Sequence, residues 1–238
     1  MLKFYIPSFE DNRLNYTQNY LNENGFECCK SPDNADFILL GVNPKKELLS
    51  FDKLILAGNV KGYNIIDYTQ SEEFKIKNAF LTAEGAVAQA INSSPVSIIN
   101  SKILIAGYGR IGKALCKYLT PFTGSITVYA RKAKDRAEAE YNSYFSINEK
   151  GLKDLSKYDF IFNTVPHPLF NEKELQTVNK QSVLFELASF PGGIDIHFAK
   201  AYSLNLIIAR GLPSKASPKS AGIIIGEEIK KIIPEVFV

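Results

Sequence analysis

Three glycines constrain this chain more than any other residues. In the segment Ser101 to Leu119 they occupy positions 107, 109 and 112, inside Gly-Tyr-Gly-Arg-Ile-Gly. An apolar run, Ile103 to Ala106, precedes them, and an amphipathic stretch, Ile111 to Leu119, follows. Strand, tight turn and helix in that order call for each glycine separately. Gly107 makes the turn, Gly109 lets backbone amides come close to a ligand, and Gly112 lets the helix press on the strand. A helix N-terminus facing that turn attracts anions, so the pattern predicts a pyrophosphate, and hence a dinucleotide, held by Gly107, Gly109, Arg110, Ile111 and Gly112.

The next strand, Ser125 to Ala130, follows a break at Pro121-Phe-Thr-Gly124. Sites selective for NAD carry Asp or Glu roughly 20 residues past the last glycine, to accept a ribose hydroxyl. This chain has Arg131 there, with Lys132, Lys134 and Arg136 close behind. A guanidinium forks onto a phosphate and a second cation helps neutralise it. Arg131, Lys132 and Arg136 are therefore read as a clamp for the 2′-phosphate of NADP. NAD, with a solvated basic loop at these positions, is the alternative.

Short apolar runs alternate with helical patterns from end to end, which predicts α/β layering. Strands are expected at Leu2–Ile6, Asp36–Gly41, Lys53–Ala57 and Tyr63–Ile66, with a helix over Asp11–Asn24. A long helix follows from Glu72 to Ala90. Later strands are expected at Ile103–Ala106, Ile126–Tyr129, weakly at Phe145, then at Phe160–Asn163, Val183–Leu187 and Leu206–Ala209. A closing helix is read from Pro218 to Ile233. The expected architecture is a Rossmann-type doubly wound parallel sheet with a smaller N-terminal α/β domain. The domains expected are residues 1–80, residues 81–215 with the nucleotide site, and a C-terminal helix, 216–238, packing back between the two.

In such sheets ligands lie beyond the carboxyl ends of strands. Three loops qualify. Thr164, Val165 and Pro166 follow one strand and suit the nicotinamide side of the coenzyme. Glu186 ends another strand, where a carboxylate needs a cation or donor, and leads to Ser189, Pro191, Gly192 and Gly193. Ser189 with the amides of Gly192 and Gly193 reads as an anion nest. The third loop, Gly211 to Gly222, offers Lys215, Lys219 and three serines to a substrate carboxylate.

Composition removes other classes. A formal charge of +3 over 238 residues gives no basis for nucleic-acid binding. No run approaches the ~20 apolar residues of a membrane helix, and the N-terminus lacks a signal-peptide pattern, so a cytoplasmic address is expected. Cys28, Cys29 and Cys116 have no metal or disulfide spacing, and with only His167 and His197 present no metal site is expected.

Taken together, these segments resemble the A-subunit family of dipicolinate synthase, the dehydrogenase-like partner in that enzyme. The likeness rests on Asn78-Ala79, Thr82-Ala-Glu-Gly-Ala86, Gly107 to Gly112, Ala130-Arg131, Asn163-Thr-Val-Pro166, Leu187-Ala-Ser189, Pro191-Gly-Gly193, Gly211-Leu-Pro213 and Pro218-Lys-Ser-Ala-Gly222. The match is poor before Asp67, where the chain is also shorter than the family leads one to expect. The resemblance implies oxidation of a dihydrodipicolinate-type precursor to pyridine-2,6-dicarboxylate with NAD(P)+, during bacterial spore formation. It implies a dicarboxylate heterocycle as substrate and a flavoprotein-like B-subunit as partner, and it is compatible with a homodimer. Within it, Thr82, Glu84, Ser189, Gly192 and Lys219 are expected to line the substrate pocket, with Glu84 handling a proton and Lys219 pairing with a carboxylate. Two other readings stay open: a different NADP-dependent oxidoreductase of a small acid, and a non-catalytic nucleotide-binding member of a flavoprotein complex.

Overall fold

A computed structural model describes residues 1–237. The chain falls into two units, one comprising residues 1–81 and 213–238, the other residues 82–212.

In the first unit the elements run β1 (Lys3–Tyr5), α1 (Arg13–Glu23), β2 (Glu27–Cys28), β3 (Phe37–Val42), β4 (Leu54–Gly58) and β5 (Ile65–Asp67). Helix α2 (Glu72–Ser93) begins here and continues into the second unit. The strands form one parallel sheet in the order β2-β1-β3-β4-β5. Residues 37–40 of β3 are all buried, because the strand has a covered layer on each face. Phe37 and Leu39 join Phe4, Leu14, Leu56 and Tyr68 on one side. Ile38 and Leu40 join Ala35, Ile55 and Ala57 on the other. The two-residue strand β2 has no counterpart among the expected strands, being too short to display a period of two.

The second unit continues with β6 (Ile103–Ala106), α3 (Arg110–Leu119), β7 (Ile126–Tyr129), α4 (Ala133–Tyr141), β8 (Phe145–Ile147) and β9 (Phe160–Asn163). Then follow α5 (Glu172–Leu175), β10 (Val183–Glu186), α6 (Ile196–Ala201) and β11 (Asn205–Ile208). Its sheet is parallel throughout, in the order β11-β10-β9-β6-β7-β8. That is the doubly wound Rossmann order, reversing direction between β6 and β9. The aromatic runs of β9 and β10 sit in register, with Phe162 and Phe185 rings stacked at 4.8 Å. Strand β8, only weakly marked in the sequence, is the sheet edge and leaves Phe145 exposed.

The stretch from Gly211 to Gly222, expected as a loop, is mostly helical. It holds α7 (Leu212–Ala216) and the start of α8 (Pro218–Val236), whose first residue is a proline with no amide to lose. Residues 218–236 belong to the first unit, where α8 packs on α1. Gly222 and Gly226, one turn apart, make that approach close: a Cβ on Gly222 would collide with the Arg13 carbonyl, and one on Gly226 with the Tyr20 ring. The buried Thr17 hydroxyl donates to the Gly222 carbonyl at 2.9 Å. Gly222 is thus a packing residue.

Candidate functional site

At the carboxyl end of β6 the three glycines have separate tasks. Gly107 has φ +100°, and its amide donates to the Tyr129 carbonyl at 2.9 Å. A Cβ there would strike the Thr164 hydroxyl, and one on Gly112 would strike the Gly107 carbonyl. Both positions are dictated by the chain's own packing. Gly109 is different. Its backbone is extended, φ −81° and ψ −166°, and a Cβ would meet no atom within 4 Å. The fold therefore leaves room for a Cβ at Gly109.

Helix α3 starts directly behind Gly109, with no acidic residue in its first turn and no side-chain cap. Its dipole points its positive end at the carboxyl edge of the sheet. Gly109, Arg110, Ile111 and Gly112 form the turn and the first residues of this helix. Tyr108 points inward, and burial pushes its phenol up to about 12.

Beyond β7, Arg131 and Lys132 are exposed, and Lys132 opens α4. Arg136 turns back on the loop: its Nη1 donates to the carbonyls of Ala130 and Arg131, each at 2.8 Å. It braces the turn that presents Arg131. No carboxylate follows the end of β7 before Asp135.

The ends of β9 and β10 are tied together by a buried carboxylate. Glu186 has no exposed surface and accepts from Asn163 Nδ2 at 2.8 Å and from the amides of Ala188, Gly193 and Ile194 at 2.8–3.0 Å. The expected anion nest is therefore corrected in one respect, because the Gly193 amide is spent on the chain's own carboxylate. Gly192, at φ +91°, leaves no room for a Cβ, which would lie 2.5 Å from Arg210 Nη2 and 2.8 Å from Glu186 Oε2. Arg210 holds the same loop from outside, donating to the carbonyls of Ala188 at 2.7 Å and Pro191 at 3.0 Å. The result is a fixed loop that carries Ser189 and Phe190 outward, both exposed. The strand-end carboxylate is conspicuous in the sequence; Arg210 carries no signal there.

Loop contacts link these parts into one edge. Thr164 abuts Gly107 and donates through its hydroxyl to the Ala106 carbonyl at 2.8 Å. Asn163 Nδ2 also donates to the Val165 carbonyl at 3.0 Å, and Gly193 fits against Val165 and His167. Gly107 to Gly112, Arg131, Lys132, Thr164 to Pro166, Ser189 and Gly192 accordingly share the carboxyl edge of the six-stranded sheet. Of the other expected site residues, two are on α2 and one is on α8. Thr82 is buried on α2. Glu84 is exposed, with Tyr118 donating to it at 3.5 Å. Tyr118 stands about 12 Å along α3 from Arg110 at 1.5 Å per residue, toward the opposite edge. Lys219 is exposed on α8, in the first unit.

Residues 65–189 match the family described as D-isomer specific 2-hydroxyacid dehydrogenase, NAD binding domain. The dipicolinate synthase A-subunit from Bacillus subtilis is 26% identical over 173 residues, which is 72% of this chain and 58% of that protein. The chain thus aligns with little more than half of that relative's length. Glyoxylate reductase from Pyrococcus horikoshii is 34% identical over 97 residues, covering 38% of this chain and 28% of the reductase. Among solved structures, the dipicolinate synthase A-subunit from Bacillus halodurans superposes with a TM-score of 0.85 at 18% identity, covering 98% of this chain and 97% of that one. The resemblance read from the sequence and the doubly wound α/β fold are both borne out.

Proposed function

This chain belongs to the D-isomer specific 2-hydroxyacid dehydrogenase, NAD binding domain family, and from that premise we propose that it is a dehydrogenase subunit oxidising a dihydrodipicolinate-type precursor to pyridine-2,6-dicarboxylate with NADP+. The observation that carries the coenzyme site is Gly109, extended, exposed and open on its Cβ side ahead of an uncapped helix. The coenzyme, when bound, supplies the hydride acceptor. The chain's own residues bind and orient: the 109–112 amides hold the pyrophosphate, and Arg131 with Lys132 pairs with the 2′-phosphate, in the absence of a carboxylate at that strand end. Thr164, Val165 and Pro166 line the nicotinamide side, and Ser189 with Gly192 the substrate side. Loss of a hydride and a proton from the dihydro ring leaves it aromatic, so much of the driving force lies in the substrate. The chain's contribution is orientation and charge.

Support for the substrate comes from the likeness to the dipicolinate synthase A-subunit. The same likeness brings the proposal of a flavoprotein-like B-subunit as partner, in the cytoplasm of a spore-forming cell. Lys219 as carboxylate partner and Glu84 as proton-handling group belong to this proposal. An unaltered pH–rate profile in Glu84→Gln removes Glu84 from it. The glyoxylate reductase match favours the second reading, a reductase of a small 2-oxo acid.

One assay separates them. The heterocyclic precursor is generated in situ, the protein is added with NADP+ or NAD+, with and without the flavoprotein-like partner, and dipicolinate is followed by ultraviolet absorbance. Product that depends on this chain and prefers NADP+ is expected. No dipicolinate in any mixture, despite NADP+ binding, overturns the substrate assignment.

A further inference from the structure

The first unit has its own switch point. Its strand order reverses between β1 and β3, and in open parallel sheets a crevice outside the carboxyl ends of two such strands holds a ligand. A cavity of about 530 Å³ lies there. It is bounded by the loop from Ser8 to Leu14, by the end of β3 through Lys45, and by Ser214 and Lys215 of α7. All of these residues fall within the first unit.

The charge balance of the lining names the ligand. Two carboxylates, Glu10 and Asp11, face three cations, Arg13, Lys45 and Lys215. Both carboxylates are already engaged. Asp11 is gripped by Arg13, with Nε at 2.8 Å from Oδ1 and Nη2 at 2.6 Å from Oδ2, and it also accepts from the Val42 amide. Glu10 accepts from Lys45 at 2.5 Å. The Lys215 ammonium makes no hydrogen bond or ion pair among the described residues, which leaves the cavity one positive charge in surplus. The start of α1 is already faced by Asp11, whose Oδ1 accepts from the Arg13 amide at 3.2 Å. Ser8, Asn12, Asn43 and Ser214 supply polar edges.

The rim is rigid. Asn43 and Asn59, at the ends of β3 and β4, both have left-handed backbones, φ 55° and 58°, and the Asn59 side-chain amide donates to Asn43 Oδ1 at 2.5 Å.

We propose that this cavity is a second ligand site, contained in the first unit, for a small molecule that presents one carboxylate to Lys215. A single surplus charge suits a monoanionic carboxylate better than a dianionic phosphate. The volume is that of an ordinary small-molecule pocket. The site goes beyond the coenzyme reading and stands independently of it.

Backbone amide resonances of the full chain provide the test, titrated separately with glyoxylate, pyridine-2,6-dicarboxylate and inorganic phosphate. Expected are saturable shifts at Ser8, Asn12, Leu14 and Asn43 with at least one carboxylate, weakened about tenfold in Lys215→Gln. Lys215 is exposed, so that variant keeps the fold. No saturable shift at these residues with either carboxylate overturns the site, as does equal affinity in Lys215→Gln. Tighter binding of phosphate than of both carboxylates overturns the ligand assignment. Shifts confined to residues 107–112 would place the anion at the coenzyme cradle and likewise overturn it.

Discussion

At its switch point the six-stranded sheet is followed by Gly107, Tyr108 and Gly109, with α3 starting at once. The five-stranded sheet is followed by a longer turn, Ile6 to Asn12, which contains no glycine and carries Ser8, Glu10 and Asp11 before α1. Both crevices obey the same topological rule, yet the first is lined by backbone and the second by side chains. A backbone cradle suits a pyrophosphate, whose recognition needs amides at close range and little specificity. A side-chain pocket suits a smaller ligand chosen by charge. Parallel sheets therefore set where a ligand goes, and the turn's residues set what it is.

The contrast breaks most sharply at Glu186. Removing this carboxylate in Glu186→Ala leaves four buried donors, Asn163 Nδ2 and the amides of Ala188, Gly193 and Ile194, without their acceptor. The expected loss is about 3–5 kcal/mol, confined to the second unit. Hydrogen exchange should show residues 183–194 opening while β3 and β4 keep their protection. Equal loosening of both units would mean that the Glu186 network is not local.

Coenzyme choice comes next. Arg131→Ala should weaken NADP+ by about thirtyfold, near 2 kcal/mol for hydrogen bonds to a charged group, and leave NAD+ nearly unchanged. Calorimetric titration of both coenzymes reads this directly. Equal effects on the two would return Arg131 to the solvated surface.

Acid should mark the first unit most gently. Burial acts to raise the Asp11 carboxyl, but the hydrogen bonds and charge of Arg13, with the Val42 amide, outweigh it and hold the group below its ordinary 3.8. A depressed carboxylate stabilises the fold above that ordinary value, and the stability is lost as pH falls through the folded value. Stability of the first unit should therefore decline below about pH 4, and Asp11→Asn should flatten that decline. An unchanged acid profile in Asp11→Asn would remove the pair from the account.

Much of the second unit is legible in the sequence. Strands β6, β7 and β9 can be placed to the residue, because each is built on a short run of apolar or β-branched residues. The turn chemistry at Gly107 and Gly112 follows from spacing alone. What escapes depends on partners distant in sequence. Glycines 222 and 226 look like loop and helix filler, and only the approach of α1 explains them. Arg13 looks like the first turn of an amphipathic helix, and its role emerges only where Asp11 meets the end of β3. Arg136 counts as a phosphate ligand by spacing, whereas its reach back to the Ala130 carbonyl is a local geometry that no linear pattern encodes.

The coenzyme cradle is tested most directly at Gly109, by titrating NADP+ into the wild-type protein and Gly109→Val and melting both. A Cβ at this position meets no atom within 4 Å, so the melting temperature should hold while NADP+ affinity falls at least about a hundredfold, near 3 kcal/mol. Gly112→Ala is the contrast, since its Cβ strikes the Gly107 carbonyl and should lower stability by about 1–3 kcal/mol. Undiminished NADP+ binding in Gly109→Val would contradict the account, because no ligand could then approach the backbone there.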